Sequence, residues 1–218
     1  NQLIGFGVGG ATLTELSVHD SATSTGADIT GPAGIQAGDL LVLYDRSSSI
    51  TTTPPTTVVP SGFTAVSNLS GDDGVNAARQ IVSYKIATGI EAGAAITGMD
   101  DTTDGKMLYV FRGDISITAV SVSTLNEEIT DGDPSSQNVA ASGGVVPLIV
   151  IAAYGTRLTS PGIDPRTFST TKDGEITSNG TNRYLAYKIY NSSPSDTSVD
   201  MEDESSINTL QSCFIECS

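Results

Sequence analysis

Few residues of this chain are of the types that act in catalysis or bind zinc. The single histidine, His19, is followed by Asp20. A hydrolase triad also needs a nucleophile presented on a sharp turn, and the sequence contains no G-x-S-x-G motif. His19, Cys213 and Cys217 together would supply three zinc ligands. Structural zinc sites take four ligands. We therefore interpret His19 as an ordinary residue of a loop or strand end and predict that the protein is not an enzyme.

Glycine-rich residues 5–10, GFGVGG, formally match the dinucleotide-binding fingerprint. That fingerprint requires a preceding strand and a following helix, whose N-terminus binds the pyrophosphate. Here only four residues precede it, and the next segment, TLTELSV, alternates like a strand. The match therefore predicts no nucleotide site.

We interpret residues 1–11 as a glycine-rich arm, which has too little side-chain area to fold onto its own domain. Leu3, Ile4 and Phe6 form a small apolar anchor within it, and we predict that this anchor docks on a neighbouring subunit. The arm lacks the basic region and long apolar stretch of a signal peptide.

Acidic residues are numerous, and several cluster in predicted turns. A glycosidase could use paired carboxylates, but sugar-processing sites usually offer aromatic platforms, and this chain has no Trp and 6% aromatic residues. Ca²⁺ binds to clustered carboxylates, yet no cluster has EF-hand or β-roll spacing. We predict solvated loops and no cofactor, with bound Ca²⁺ as the open alternative. The clusters are Asp100, Asp101 and Asp104, then Asp131 and Asp133, then Asp200, Glu202, Asp203 and Glu204.

Two other groups have a simpler structural interpretation. Arg112, Gly113 and Asp114 spell a cell-adhesion tripeptide, but the end of a strand before a turn also calls for glycine. The tyrosines lie in strand-like patterns, which indicates core or cross-strand packing. They are Tyr84, Tyr109, Tyr184, Tyr187 and Tyr190.

Composition predicts the elements that position these residues. The 218 residues are 38% hydrophobic and 16% charged, with 23 Gly and 9 Pro as turn formers. This mixture is typical of short strands joined by many turns. We predict an all-β, antiparallel β-sandwich, Ig-like or jelly-roll-like. The strands predicted in the first half are 12–18, 27–30, 40–45, 63–68, 80–87, 94–97 and 107–112.

Four collinear blocks occur twice, which predicts an internal duplication into two similar halves. Their offset falls slowly, from 108 residues between Leu40 and Leu148 to 102 between Leu108 and Leu210. The paired blocks are DLLVLY (39–44) with PLIVIAAY (147–154), PSGFT (60–64) with PRTFS (165–169), SYKIA (83–87) with AYKIY (186–190), and LYVF (108–111) with LQSCFIE (210–216).

The duplication predicts a division into the arm, a first β-sandwich half at 12–113 and a second half at 114–218, packed together without a flexible tether. LLVL at 40–43 and LIVI at 148–151 are apolar at every position, so we expect central strands buried between two layers. Whether the halves form one sandwich or two stays open.

The net charge of −15 disfavours nucleic-acid binding and attachment to anionic membranes. No apolar stretch approaches the length of a membrane span. Cys213 and Cys217 are predicted to lie about 13 Å apart on one strand, too far for a disulfide. Free thiols favour assembly in a reducing cytoplasm.

The run AGDLLVLY, PSGFT, YKIATGIEAGA and MLYVFRG resembles a pattern in structural proteins of tailed bacteriophages. The stretch LAYKIYNSSPSDTSVDMEDESSINTLQS is similar to the closing part of the same group, and together the blocks span most of residues 30–216. The resemblance implies a non-enzymatic virion protein, assembled in the host cytoplasm, with other capsid or tail subunits as partners and a homo-oligomeric state.

Within a virion, we favour a capsid decoration or head-appendage protein on the particle surface. The alternative is a tail-fibre or tail-tip module that binds host-surface glycans, which requires an exposed cleft with polar groups. A bacterial surface adhesion module is a further alternative.

Overall fold

The described part of the chain folds into β-strands, which form four antiparallel sheets. The computed structural model describes residues 15–56, 58–72, 74–99, 105–113, 120–131, 137–139, 148–156, 166–168, 173–178, 183–190, 197–201 and 207–217. These residues contain fifteen strands and no helix. The strands are β1 Ser17–Ser24, β2 Ile29–Thr30, β3 Leu40–Ser49, β4 Thr64–Asp72, β5 Ala77–Ile86, β6 Ala95–Ile96, β7 Gly105–Arg112, β8 Val120–Asp131, β9 Gln137–Val139, β10 Leu148–Thr156, β11 Arg166–Phe168, β12 Gly174–Ser178, β13 Arg183–Tyr190, β14 Thr197–Met201 and β15 Ile207–Cys217.

Two five-stranded sheets form the body of the protein, which confirms the all-β sandwich class. The first has the order β1-β7-β3-β5-β4, and the second has the order β12-β13-β10-β15-β8. A two-stranded sheet, β2-β6, and a three-stranded sheet, β11-β14-β9, accompany them. Each large sheet is built from one half of the chain.

Strand β3 is buried on both faces, as its uninterrupted apolar sequence predicts. Leu40 and Val42 point into the space between the two large sheets. Leu41 and Leu43 point to the opposite face, into a cluster that includes Ile29. A strand with two covered faces cannot alternate apolar and polar residues, which explains the LLVL pattern.

The two large sheets share one apolar core. Val42 of β3 and Ile151 of β10 belong to the same buried cluster, and both are fully inaccessible to solvent. Burial of an aliphatic side chain of this size contributes roughly 1.5–3 kcal/mol. The first-half and second-half sheets are therefore the two layers of one sandwich.

The two sheets have the same strand order. Read from β8, the second sheet runs β8-β15-β10-β13-β12, which matches β1-β7-β3-β5-β4 position by position. The blocks LLVL and LIVI accordingly occupy the central strands. This agreement supports the predicted duplication, which stays a prediction, as does the division at residues 113 and 114.

The strand pairs correct the residue-level matching of two blocks. Phe111 of β7 and Ile215 of β15 both face the shared core, at an offset of 104 residues rather than 102. Leu40 and Ile149 likewise take the first inward position of β3 and β10, at an offset of 109 rather than 108. Short apolar runs can be shifted by one or two residues without losing similarity, whereas the pleat fixes which residues face inward.

The first predicted strand, 12–18, lies outside the described residues at 12–14 and overlaps β1 only at residues 17 and 18. Residues 15 and 16 are not in a strand, and β1 runs through the polar sequence SVHDSATS. Among the described strands, β1 lies at a sheet edge and pairs with β7, so main-chain pairing rather than apolar alternation defines it. The other first-half strands overlap their predicted ranges, but β3, β4 and β5 extend further, because Ser49 and Asp72 both still pair with Ala77.

Candidate functional site

A bidentate ion pair joins the end of β7 to the residue that precedes β3. Arg112 Nε donates to Asp39 Oδ1 at 2.7 Å, and Arg112 Nη2 donates to Asp39 Oδ2 at 2.6 Å. Nη2 also donates to the carbonyl oxygen of Gly34 at 2.7 Å. The hydrogen bonds with Asp39 raise the pKa of Arg112 above its ordinary value. Asp39 is buried, so this pair fixes the start of the central strand.

His19 lies against the same guanidinium. The register of β1 shifts between Val18 and Asp20, which places His19 at a β-bulge inside the strand rather than in a loop or at a strand end. Its Nδ1 is 3.3 Å from Arg112 Nη1. Because arginine can only donate, Nδ1 acts as the acceptor in this contact. The bulge thus directs the histidine onto a structural ion pair, as bulges often redirect side chains.

The Arg112 contacts also bear on the Arg112-Gly113-Asp114 tripeptide. The Arg112 guanidinium donates to Asp39 and to the carbonyl oxygen of Gly34, whereas an adhesion motif would present the arginine to a partner protein. Asp114 lies outside the described residues. The geometry favours the structural interpretation of this segment.

A polar relay crosses the apolar space between the two large sheets. The Tyr44 hydroxyl donates to Gln80 Oε1 at 3.0 Å, and Gln80 Nε2 donates to the carbonyl oxygen of Ala153 at 2.9 Å. Tyr44 and Gln80 are fully buried. Buried polar groups cost stability unless they are hydrogen-bonded, so this relay fixes the relative position of the sheets.

The predicted packing role is confirmed for four of the tyrosines, one of which, Tyr184 of β13, is a buried core residue. The rings of Tyr109 and Tyr187 meet edge to face with centroids 4.9 Å apart, and Phe111 lies 5.4 Å from Tyr187. Tyr84 also packs against the shared core. Burial raises the pKa of Tyr109 and of Tyr187, with a further contribution from Asp173 at Tyr187. These hydroxyls are therefore held in their neutral form.

A pocket of about 230 Å³ lies beside the outer face of the first sheet. Its walls come from three places: the turn before β4, the strand β5, and the segment that leads into β6. Lys85 and Glu91 provide its charges, with Lys85 Nζ 2.7 Å from Glu91 Oε1. Phe63 provides an aromatic wall, whose centroid is 5.9 Å from Lys85 Nζ. The exposed side chain of Ile90 lies on its rim.

The turn that carries Phe63 is shaped to receive Lys85. Phe63 N donates to the carbonyl oxygen of Pro60 at 3.0 Å, which closes a four-residue turn. Gly62 has a φ of 80°, the left-handed value that the third position of a type II turn requires. A Cβ at this position would lie 3.1 Å from Lys85 Nζ. Glycine at position 62 thus allows the backbone conformation of the turn and leaves space for the Lys85 ammonium group.

Glu91 is buried and organises the opposite wall. Its Oε2 accepts from Thr88 N at 3.1 Å and from Gly89 N at 3.0 Å. Burial alone would raise the pKa of Glu91, but the hydrogen bonds and charge of Lys85, with main-chain donors of the turn, hold it below its ordinary value. The carboxylate is therefore ionised and forms a neutral pair with Lys85.

Most of the other predicted site residues lie outside the described part of the chain. This applies to the anchor residues Leu3, Ile4 and Phe6, whose docking stays a prediction. It also applies to the acidic clusters, except that Asp131 ends β8 and Asp200 lies in β14. Among the residues that are described, no group of three or more His, Cys, Asp or Glu side chains is placed to hold a metal ion.

Cys213 and Cys217 both lie in β15, as predicted, four residues apart on one extended strand. Within the described ranges, no helix is long and apolar enough to span a membrane.

Sequence reasoning missed the pocket, although two signals for it were present. The blocks PSGFT and SYKIA, which the duplication analysis selected, contain Pro60, Phe63 and Lys85. The sequence T-G-I-E that follows β5 carries Glu91 at the spacing from which a carboxylate caps a turn. Neither signal shows that Phe63 and Glu91 meet across Lys85, because that depends on the order β3-β5-β4.

Comparison with known proteins yields no further identification: no family model matches the chain, and no curated protein or solved structure is significantly similar to it.

Proposed function

We propose that this chain is a non-enzymatic structural protein of a bacteriophage virion, carried on the particle surface as a capsid decoration or head-appendage protein. The observation that carries the proposal is the sandwich of two five-stranded sheets with one strand order and one core. The resemblance to tailed-phage structural proteins in the sequence supports it. The ion pair of Asp39 with Arg112 adds support, because it fixes the ends of two strands.

The experiment that tests this proposal is a count of copies per particle. Purified virions are digested, and peptides of this chain are quantified against those of the major capsid protein. Hundreds of copies per particle support a capsid decoration protein, and a few copies support a tail position. Absence from purified virions would overturn the virion proposal.

The predicted arm provides a second test of the same proposal. Deletion of residues 1–9 removes the anchor Leu3, Ile4 and Phe6, which we expect to dock on a neighbouring subunit. The truncated chain should keep its melting temperature but lose incorporation into particles. Full incorporation would contradict the role of the anchor.

A second candidate function is a tail-fibre or tail-tip module that binds host-surface glycans. The pocket beside Lys85 favours it, since small-molecule sites combine apolar walls with a few directed polar groups.

A further inference from the structure

The pocket beside Lys85 contains one ion pair, and the net charge of that pair is zero. Lys85 and Glu91 are 2.7 Å apart, and their side chains are 18% and 5% exposed. Glu91 also accepts from two main-chain donors of its turn, so it cannot leave the pair without exposing those donors. A ligand therefore meets a fixed, neutral polar wall.

Lys85 retains hydrogen-bonding capacity on this wall. An ammonium group has three N–H donors, and Glu91 is its acceptor among the described residues. Ser61 and Thr97 place two hydroxyl-bearing side chains on the pocket lining. The polar part of the pocket thus offers donors to an incoming oxygen atom.

The other walls are apolar. Phe63 is half-buried and packs against the outer-face core, and Ile96 and Ala94 line the side that leads to β6. The volume of about 230 Å³ is below the roughly 300–1,000 Å³ of pockets for drug-sized ligands. The space therefore suits a single ring rather than a long chain.

These features discriminate among classes of ligand. An anion would compete with Glu91 for Lys85 and would approach a chain of net charge −15. An apolar side chain of a partner protein would remove water from the Lys85 donors without replacing it, which is costly for a charged group. A neutral ring with one C–H face and several hydroxyl groups satisfies both the apolar walls and the donors.

We propose that the pocket formed by Phe63, Lys85 and Glu91 binds one neutral sugar residue, with a ring face against Phe63 and a hydroxyl oxygen accepting from Lys85. This inference rests on the second candidate function and gives it a site and a ligand class. In the repeated blocks of the second half, Thr167 stands where Gly62 does, and Lys188 is paired with Asp173. One sugar site per chain is expected.

The test is a titration of the full chain with neutral methyl glycosides of glucose, galactose, mannose and N-acetylglucosamine, followed by ¹H–¹⁵N NMR. We expect at least one sugar to shift the amide signals of Phe63, Ile96 and Thr97, with a Kd on the order of 1 mM. The absence of such shifts with all four sugars at about 100 mM, or 100 times that Kd, would overturn the proposal.

Two pairs of variants localise the site. Ala95 is exposed in β6 and lines the pocket, so A95W should fill the mouth and weaken sugar binding by about tenfold. V75W places the same ring at an exposed position in the β4–β5 turn and should leave affinity unchanged. K85M should weaken binding, whereas K188M, at the corresponding place in the repeated block, should not.

Equal affinity of A95W and the parent chain would overturn the site. Stronger shifts of the same amides by N-acetyl-leucine amide than by any sugar would overturn the ligand class in favour of a protein side chain. Because Ala95 is exposed, we expect A95W to fold. The site can therefore be tested with A95W even if K85M does not fold. The copy-number measurement is independent, so failure here and failure of the virion role are distinguishable.

Discussion

Gln80 and Ala153 are joined across the interior of the sandwich, with Gln80 Nε2 donating to the Ala153 carbonyl oxygen at 2.9 Å. Gln80 belongs to the first large sheet and Ala153 to the second. The same amide accepts from the Tyr44 hydroxyl, so its donor and acceptor atoms are both used. This contact makes the packing of the sheets directional, which apolar burial alone does not provide.

Replacement of Gln80 should therefore destabilise the protein by more than its size suggests. We expect Q80L to lower the free energy of unfolding by about 1–3 kcal/mol, because it leaves the Ala153 carbonyl without this donor in a buried site. Y44F should cost about 0.5–1.5 kcal/mol. Urea unfolding of both variants and of the double variant measures their coupling. Strictly additive losses would show that the relay does not act as a unit.

The ion pair of Arg112 with Asp39 should matter more than that of Lys188 with Asp173. We expect R112M to cost about 2–4 kcal/mol, because it leaves the Asp39 carboxylate, 3% exposed, without its cation. K188M removes a pair whose partners are 22% and 35% exposed, and it should cost less than about 1 kcal/mol. Chemical unfolding compares the two variants, and equal losses would contradict a structural role of the Arg112 pair.

Glu91 should give the protein a pH-dependent stability on the acid side. Its pKa in the folded state is below the ordinary value of 4.5, so the unfolded chain takes up the proton more readily. The stabilising contribution is complete above about pH 4.5 and is lost as the pH falls through the lower folded pKa. Thermal melts between pH 3 and pH 6 should therefore show a steeper acid loss for the parent chain than for E91Q. Parallel pH profiles would contradict the shift.

Cys213 and Cys217 should be reduced and not bonded to each other. Four residues on an extended strand separate their Cα atoms by about 13 Å, whereas a disulfide needs no more than about 7 Å. Non-reducing mass spectrometry after alkylation should detect two modified thiols per chain. A crosslink between the two would contradict the strand β15.

The sequence predicted those elements whose residues carry their own signal. LLVL predicts a strand covered on both faces, as the structure confirms. The alternation of Val82, Tyr84 and Ile86 with Ser83 and Lys85 predicts a strand with one outward face. The first three side chains do pack against the shared core, but Ser83 is also buried, so the other face of β5 is covered as well. Strand β1 has no such signal. Its polar residues, His19 among them, become a strand because β7 offers a free edge.

The pocket illustrates a different limit of sequence reasoning. Lys85 and Glu91 are six residues apart, and their contact follows from the local turn. Phe63 joins them only because β4 pairs with β5, with Thr64 opposite Tyr84 in the ladder. Alternation predicts that a strand exists but not which strand lies beside it, so the aromatic wall of the site was not predictable.

The shared core has a consequence for symmetry. Two identical sheets that associate in a two-fold dimer must place the same residues on both sides of the axis. Here the third inward residue is Tyr44 in β3 and Ala153 in β10, and the place of Gln80 in β5 is taken by Arg183 in β13. Because one chain encodes both sheets, a large side chain can face a small one. A substitution on the outer face of one sheet does not require the same substitution on the other. The two outer surfaces of the protein can therefore differ.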